Sequence, residues 1–228
     1  IVRTCKKLGY QGYYHLKIAL AKEVINPDNS YPENTDFSDI TSLATFLLKK
    51  QAEDLIQSTQ FFNADVLESI LKLLANCDTI FFFAAGNSNP LAVYSAYKFS
   101  QLGLKTVVHV SPEMQINAAY SMGKRDLAIG ISNSGSTNLM VDIFKVVKER
   151  GAKSVCITNY IKSPLSKLST HQLNTAVSDK IFFEAFDSTR VPAMGVIDML
   201  VLLFMYKNKA HYEKYRTREE FLGSRFKG

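Results

Sequence analysis

The sequence lacks most of the patterns that would commit it to a common class. It has three cysteines, Cys5, Cys77 and Cys156, an odd set with no CxxC pair and no histidine at metal-ligand spacing. Such a set supports neither a disulfide framework nor a metal site, and it fits reduced thiols in a cytoplasmic protein. No uninterrupted apolar run approaches the ~18 residues of a membrane-spanning helix. The nearest, residues 196–206, is broken by Asp198, so no membrane partner is expected. GxGxxG is missing after the first apolar run, no acidic residue ends the second, and no Walker A lysine is present. These absences speak against a dinucleotide and a nucleoside triphosphate, and no cofactor is expected. No Ser–His–Asp or Cys–His arrangement, internal repeat or low-complexity tract is apparent. The first residue is Ile1 and there is no signal peptide, so the chain is expected to begin inside a longer protein.

What is present is enough for a packed core: 228 residues, 46% hydrophobic and 21% charged. The net charge of +6 is unevenly placed. Residues 1–25 hold five Lys or Arg against one Glu, and residues 207–228 hold seven against three. A slightly acidic body with basic ends points to polyanion contact at the ends, although solvated helix faces produce the same pattern.

Residues 1–8 read as the end of a helix stopped by Gly9, and residues 13–24 as a second helix after a Tyr10-Gln11-Gly12 turn. Helix, glycine turn and helix is compatible with part of a helix-turn-helix DNA reader or with a generic hairpin. Residues 26–36 (NPDNSYPENTD) combine two prolines with many turn formers and mark the best domain boundary. A long helix follows Ser38, and another spans about residues 65–76.

From Thr79 the rhythm changes. Residues 79–85 (TIFFFAA) form a continuous apolar run, as expected for a strand covered on both faces. Further strands are predicted at 105–110, 126–131, 153–158 and, shorter, 180–184. Helices lie between them, with Pro90 and Pro112 at first helical positions, and a last apolar helix spans 191–206. Alternating strands and helices predict a five-stranded parallel, doubly wound α/β sandwich.

In such sheets ligands sit beyond the carboxyl ends of the strands where strand order reverses. If the first strand neighbours the third, two loops meet there. One is Gly86, Asn87 and Ser88. The other is Ser132, Asn133, Ser134, Gly135, Ser136 and Thr137. Free N–H groups, hydroxyls and a helix N-terminus make the second loop a natural anion site, most plausibly for a phosphate. The simpler alternative is that its hydroxyls only cap a helix.

Ser132-x-Ser134-Gly135-x-Thr137 after a buried strand resembles the phosphosugar loop of SIS (sugar isomerase) domains. Gly86-Asn87-Ser88 resembles the Gly-x-Ser loop of that family, and Ser188-Thr189-Arg190 before the last helix is similar to it too. The likeness implies a SIS/flavodoxin-like fold over about residues 38–206, with the sugar phosphate held by both loops and by Glu184, Ser188 and Arg190. The N-terminal residues, with Arg3, Cys5, Lys6, Lys7 and Gly9, resemble the end of the helix-turn-helix domain of RpiR-type transcriptional regulators. That likeness places Arg3, Lys6 and Lys7 on or beside a DNA-recognition helix, although Thr4 stands where the family usually has a bulky aromatic. It divides the chain into a helix-turn-helix remnant (1–25), a linker (26–37) and a SIS domain with a basic tail (38–228).

Two functions follow. The first is a regulator whose SIS domain binds a sugar phosphate and thereby alters DNA affinity, as a homodimer or homotetramer with the apolar faces of residues 38–61 and 191–206 as interfaces. The second is a sugar-phosphate isomerase or lyase with Glu184 as general base. His109 ends a predicted strand and is read as structural, while His171 and His211 fall in polar, exposed segments. The DNA-reader remnant favours the regulator.

Overall fold

The computed structural model describes residues 39–176 and 190–226, and the chain divides into two compact units, Ile1–Phe46 and Leu47–Gly228. Helix α1 (Ile40–Ser58) opens the described part. Its cap is Asp39, whose carboxylate accepts from Thr41 N and Ser42 N at 3.0 and 3.2 Å. Helix α2 (Ala64–Asn76) is capped by Asn63, whose side chain accepts from Val66 N.

Five strands then alternate with helices: β1 (Ile80–Ala84), α3 (Asn89–Gln101), β2 (Thr106–Val108), α4 (Pro112–Ser121), β3 (Leu127–Ile131), α5 (Asn138–Glu149), β4 (Lys153–Thr158), α6 (Pro164–Leu168) and β5 (His171–Asn174). Helices α7 (Arg190–Lys207) and α8 (Lys209–Phe226) complete the described chain. All pairings are parallel, in the order β2-β1-β3-β4-β5. β1 therefore neighbours β3, as the candidate crevice requires.

Every residue of β1 and β3 is buried, because side chains alternate between two covered faces. Ile80, Phe82, Ala84, Leu127, Ile129 and Ile131 enter one core with α2, α3 and α7. Phe81, Phe83 and Ala128 enter the other with α4, α5 and α6. Gly130 leaves room for a neighbour in that second core, since a Cβ on it would lie 2.4 Å from Phe144 Cζ.

Some expectations need correction. The fifth strand is His171–Asn174, a polar stretch recruited by pairing with β4. The strand predicted at 180–184 lies outside the described residues. His171 is therefore a half-buried strand residue whose desolvation lowers its pKa. β2 stops at Val108, which leaves His109 beyond the strand. The basic tail forms α8, and half-buried His211 packs on Phe204 with its Nδ1 2.7 Å from Leu102 O. Among the described residues no single helix is long and apolar enough to cross a membrane.

Candidate functional site

β1 delivers its carboxyl end into a tight turn, Gly86–Ser88. Gly86 adopts φ +55°, a conformation cheap only for glycine, and a Cβ there would meet no atom within 4 Å. The backbone therefore faces open space at this point. Helix α3 starts at the next residue with Pro90 in its first turn, and the Ser88 hydroxyl makes no capping bond.

β3 ends beside it, with Ala84 paired to Ile131. Ser132 continues the ladder by donating its N–H to Ile157 O at 3.0 Å, and its buried Oγ accepts from Gly135 N at 3.2 Å. Asn133 O accepts from Asn159 N and from Thr158 Oγ1, both at 3.0 Å, which ties the loop to the end of β4. Ser134 Oγ accepts from Ser136 N at 3.3 Å and from Ser136 Oγ at 3.1 Å. The loop then becomes α5, and the Thr137 side chain makes no capping bond.

The capping alternative can be weighed by comparison within the chain. Asn63 and Ser163 each accept from a backbone N–H of the helix they precede, α2 and α6. Ser88 and Thr137, at the two helices flanking the crevice, do not. Ser111 leaves α4 uncapped at the sheet edge as well. The open N-terminus of α5 attracts anions, because its first-turn N–H groups carry the positive end of the helix dipole and the Thr137 hydroxyl is unused. At α3 the Ser88 and Asn89 N–H groups already donate to Ala85 O and Gly86 O, and Pro90 has none, so that turn offers hydroxyl and amide side chains instead.

A third element closes on the first loop. Arg190, the first residue of α7, donates Nε–H to Asn87 O at 3.0 Å and is exposed. The structure therefore assembles Gly86, Asn87, Ser88, Ser132, Asn133, Ser134, Gly135, Ser136, Thr137 and Arg190 at one end of the sheet. Glu184, Ser188 and the basic trio Arg3, Lys6 and Lys7 lie outside the described residues.

Neither loop contains a carboxylate, imidazole or thiol. Burial pushes the Cys77 and Cys156 thiols up to about 11, so neither is a ready nucleophile. Among the described residues no three His, Cys, Asp or Glu side chains gather as a metal site.

Sequence reasoning missed Gln115, which is buried beneath the first loop and bonded to Ala84. A signal existed: Gln115, Ala118, Ala119 and Met122 share one buried stripe at helical spacing, and a polar member of such a stripe needs a partner.

The SIS domain family matches residues 73–203, which takes in both loops and Arg190. The chain belongs to this family. An uncharacterized HTH-type transcriptional regulator of Caldanaerobacter subterraneus is 30% identical over 220 residues, covering 94% of this chain and 77% of that protein. The chain is accordingly a SIS-domain relative of HTH-type transcriptional regulators. Two solved structures share the fold. The Vibrio vulnificus NanR protein complexed with ManNAc-6P has a TM-score of 0.80 at 22% identity, covering 97% of this chain and 79% of that one. The sugar isomerase domain of an RpiR transcription factor from Sphaerobacter thermophilus has a TM-score of 0.70 at 18% identity, covering 78% and 98%.

Proposed function

We propose that this SIS domain is the effector-sensing part of a transcription regulator, and that the effector is a sugar phosphate bound in the crevice between β1 and β3. The observation that carries this reading is the N-terminus of α5, left uncapped by Thr137 beside the hydroxyl-bearing Gly86–Ser88 turn. Residues 132–137 take the phosphate, with backbone N–H groups and the Ser134, Ser136 and Thr137 hydroxyls as donors. Gly86, Asn87, Ser88 and Arg190 face the sugar, together with Glu184 and Ser188 from the adjoining segment. The sugar phosphate in the NanR complex makes N-acetylhexosamine 6-phosphates natural members of the first ligand panel.

DNA is read by the preceding helix-turn-helix part, to which residues 1–25 with Arg3, Lys6 and Lys7 contribute, joined through the linker at 26–37. An effector alters DNA affinity only by binding one arrangement of subunits better than another. Exposed apolar side chains on α1 (Leu48, Ile56) and α7 (Met194, Leu202, Tyr206) support a homodimer or homotetramer. The protein works in the cytoplasm, where its effector and operator are found.

Thermal denaturation tests the reading. A hexose or N-acetylhexosamine 6-phosphate should raise the melting temperature, while the parent sugar does little. Equal shifts from both would remove the phosphate assignment. Ser134→Ala should weaken the phosphorylated ligand by about 1 kcal/mol or more. The role is sensing without chemistry, so prolonged incubation with sugar phosphates should yield no isomerised product. Turnover proportional to protein would instead favour an isomerase using Glu184.

A further inference from the structure

Gln115 is 1% exposed, and its side-chain amide lies against the last residue of β1. Oε1 accepts from Ala84 N at 3.2 Å, while Nε2 donates to Ala84 O at 2.9 Å and to Val110 O at 3.4 Å. β2 pairs with β1 only as far as Val108 opposite Phe82. Past that point no strand among the described residues remains to satisfy the outward N–H and C=O of Ala84, which is itself fully buried. The Gln115 amide takes the place of the missing strand. A glutamine carries both a donor and an acceptor on one planar group, so it reproduces a peptide. An apolar residue of equal size would leave two buried backbone groups unpaired.

The position of this clamp gives it consequence. Ala84 stands two residues before Gly86, so whatever fixes Ala84 fixes the start of the Gly86–Ser88 turn. Residues 132–137 are held from the opposite side, by Ile157 O, Asn159 N, Thr158 Oγ1 and Leu165 N. None of the bonds made by Gln115 reaches that loop. The two arms of the crevice therefore have separate supports, one from α4 and one from β4 and α6.

We propose that Gln115 is the positioning residue of the β1 arm, setting where Gly86–Ser88 stands against the phosphate loop and so governing recognition of the sugar without affecting recognition of the phosphate. This rests on the sugar-phosphate reading above. Its direct consequence is a split between two affinities that a purely structural glutamine would move together.

The test uses the full chain and its Gln115→Met variant, which keeps side-chain length and removes both hydrogen-bonding atoms. A panel of hexose and N-acetylhexosamine 6-phosphates, and separately inorganic phosphate, is titrated by calorimetry. The panel member that binds wild type should bind Gln115→Met about tenfold more weakly or worse, with inorganic phosphate changed by less than about twofold. Equal weakening of both, or no weakening of the sugar phosphate, overturns the proposal and leaves the phosphosugar site standing. Failure of every panel member to bind wild type would bring down both together. Should Gln115→Met fold poorly, the side-chain NH2 resonances of Gln115 in wild type serve instead. They should shift with the bound sugar phosphate and stay in place with inorganic phosphate, and the absence of that difference would also overturn the proposal.

Discussion

Gly135 and Ser163 approach so closely that a Cβ on the glycine would lie 2.3 Å from Ser163 Oγ. The same hydroxyl caps α6 by accepting from Ser166 N at 3.1 Å, and Leu165 N donates to Gly135 O at 2.9 Å. These two contacts join residues 132–137 to the start of the next helix. Gly135 also holds φ +57°, where an L side chain is strained.

Gly135→Ala should therefore fail twice, through backbone strain and through displacement of the Ser163 cap. A loss of about 2–4 kcal/mol is expected from these combined effects. Chemical denaturation measures it. Gly86→Ala is the control, because its backbone is equally left-handed but its Cβ would meet open space. A loss for Gly135→Ala no larger than for Gly86→Ala would show that the Ser163 contact contributes nothing.

Gly130 poses a different steric problem. It has no positive φ, and its only obstacle is the Phe144 ring with Met140 Cε 3.2 Å away. Gly130→Ala should cost about 1–3 kcal/mol through overpacking. The double variant Gly130→Ala with Phe144→Leu should be more stable than the sum of the two single losses implies, because the smaller side chain leaves room for the methyl group. Simple additivity in a denaturation cycle would refute this packing account.

These contacts mark where sequence reading stops. Residues 79–85 and 126–131 announced themselves as strands because both faces of the sheet are covered, so apolar residues run on without alternation. The loops were legible for a related reason: Gly86 and the serines break those runs where the chain turns. β5 was not legible, because the sequence His171-Gln172-Leu173-Asn174 has little strand character of its own. It becomes a strand at the sheet edge, where Asn174 Nδ2 also donates to Thr158 O at 3.1 Å. The Gln115 clamp was hidden for the same reason, since its partner Ala84 is 31 residues away in sequence. Contacts set by tertiary pairing leave only a weak local trace.

The two described thiols give a pH prediction. Burial raises Cys77 and Cys156 from 9.0 to about 11 in the folded chain. A raised pKa means that the fold favours the neutral thiol. The stabilisation is complete below pH 9 and fades as pH rises through about 11. At pH 8 roughly one thiol in a thousand is ionised, so iodoacetamide should leave both unmodified until denaturant is added. Peptide mass spectrometry reads this directly, and rapid native labelling of Cys156 would contradict its buried setting.

The last prediction separates a cap from a binding residue. Asn63 and Thr137 occupy the same position at the starts of α2 and α5, and only Asn63 uses its side chain to satisfy the helix. Asn63→Ala should therefore cost about 1 kcal/mol of stability, with sugar-phosphate affinity untouched. Thr137→Val keeps the shape and removes an unused hydroxyl, so stability should change by less than about 0.5 kcal/mol. Its cost should appear in binding, as a loss of about 1 kcal/mol or more for the phosphorylated ligand. The opposite pattern, with Thr137→Val destabilising and binding unchanged, would make Thr137 a structural residue. The phosphate would then rest on backbone N–H groups and the neighbouring serines alone.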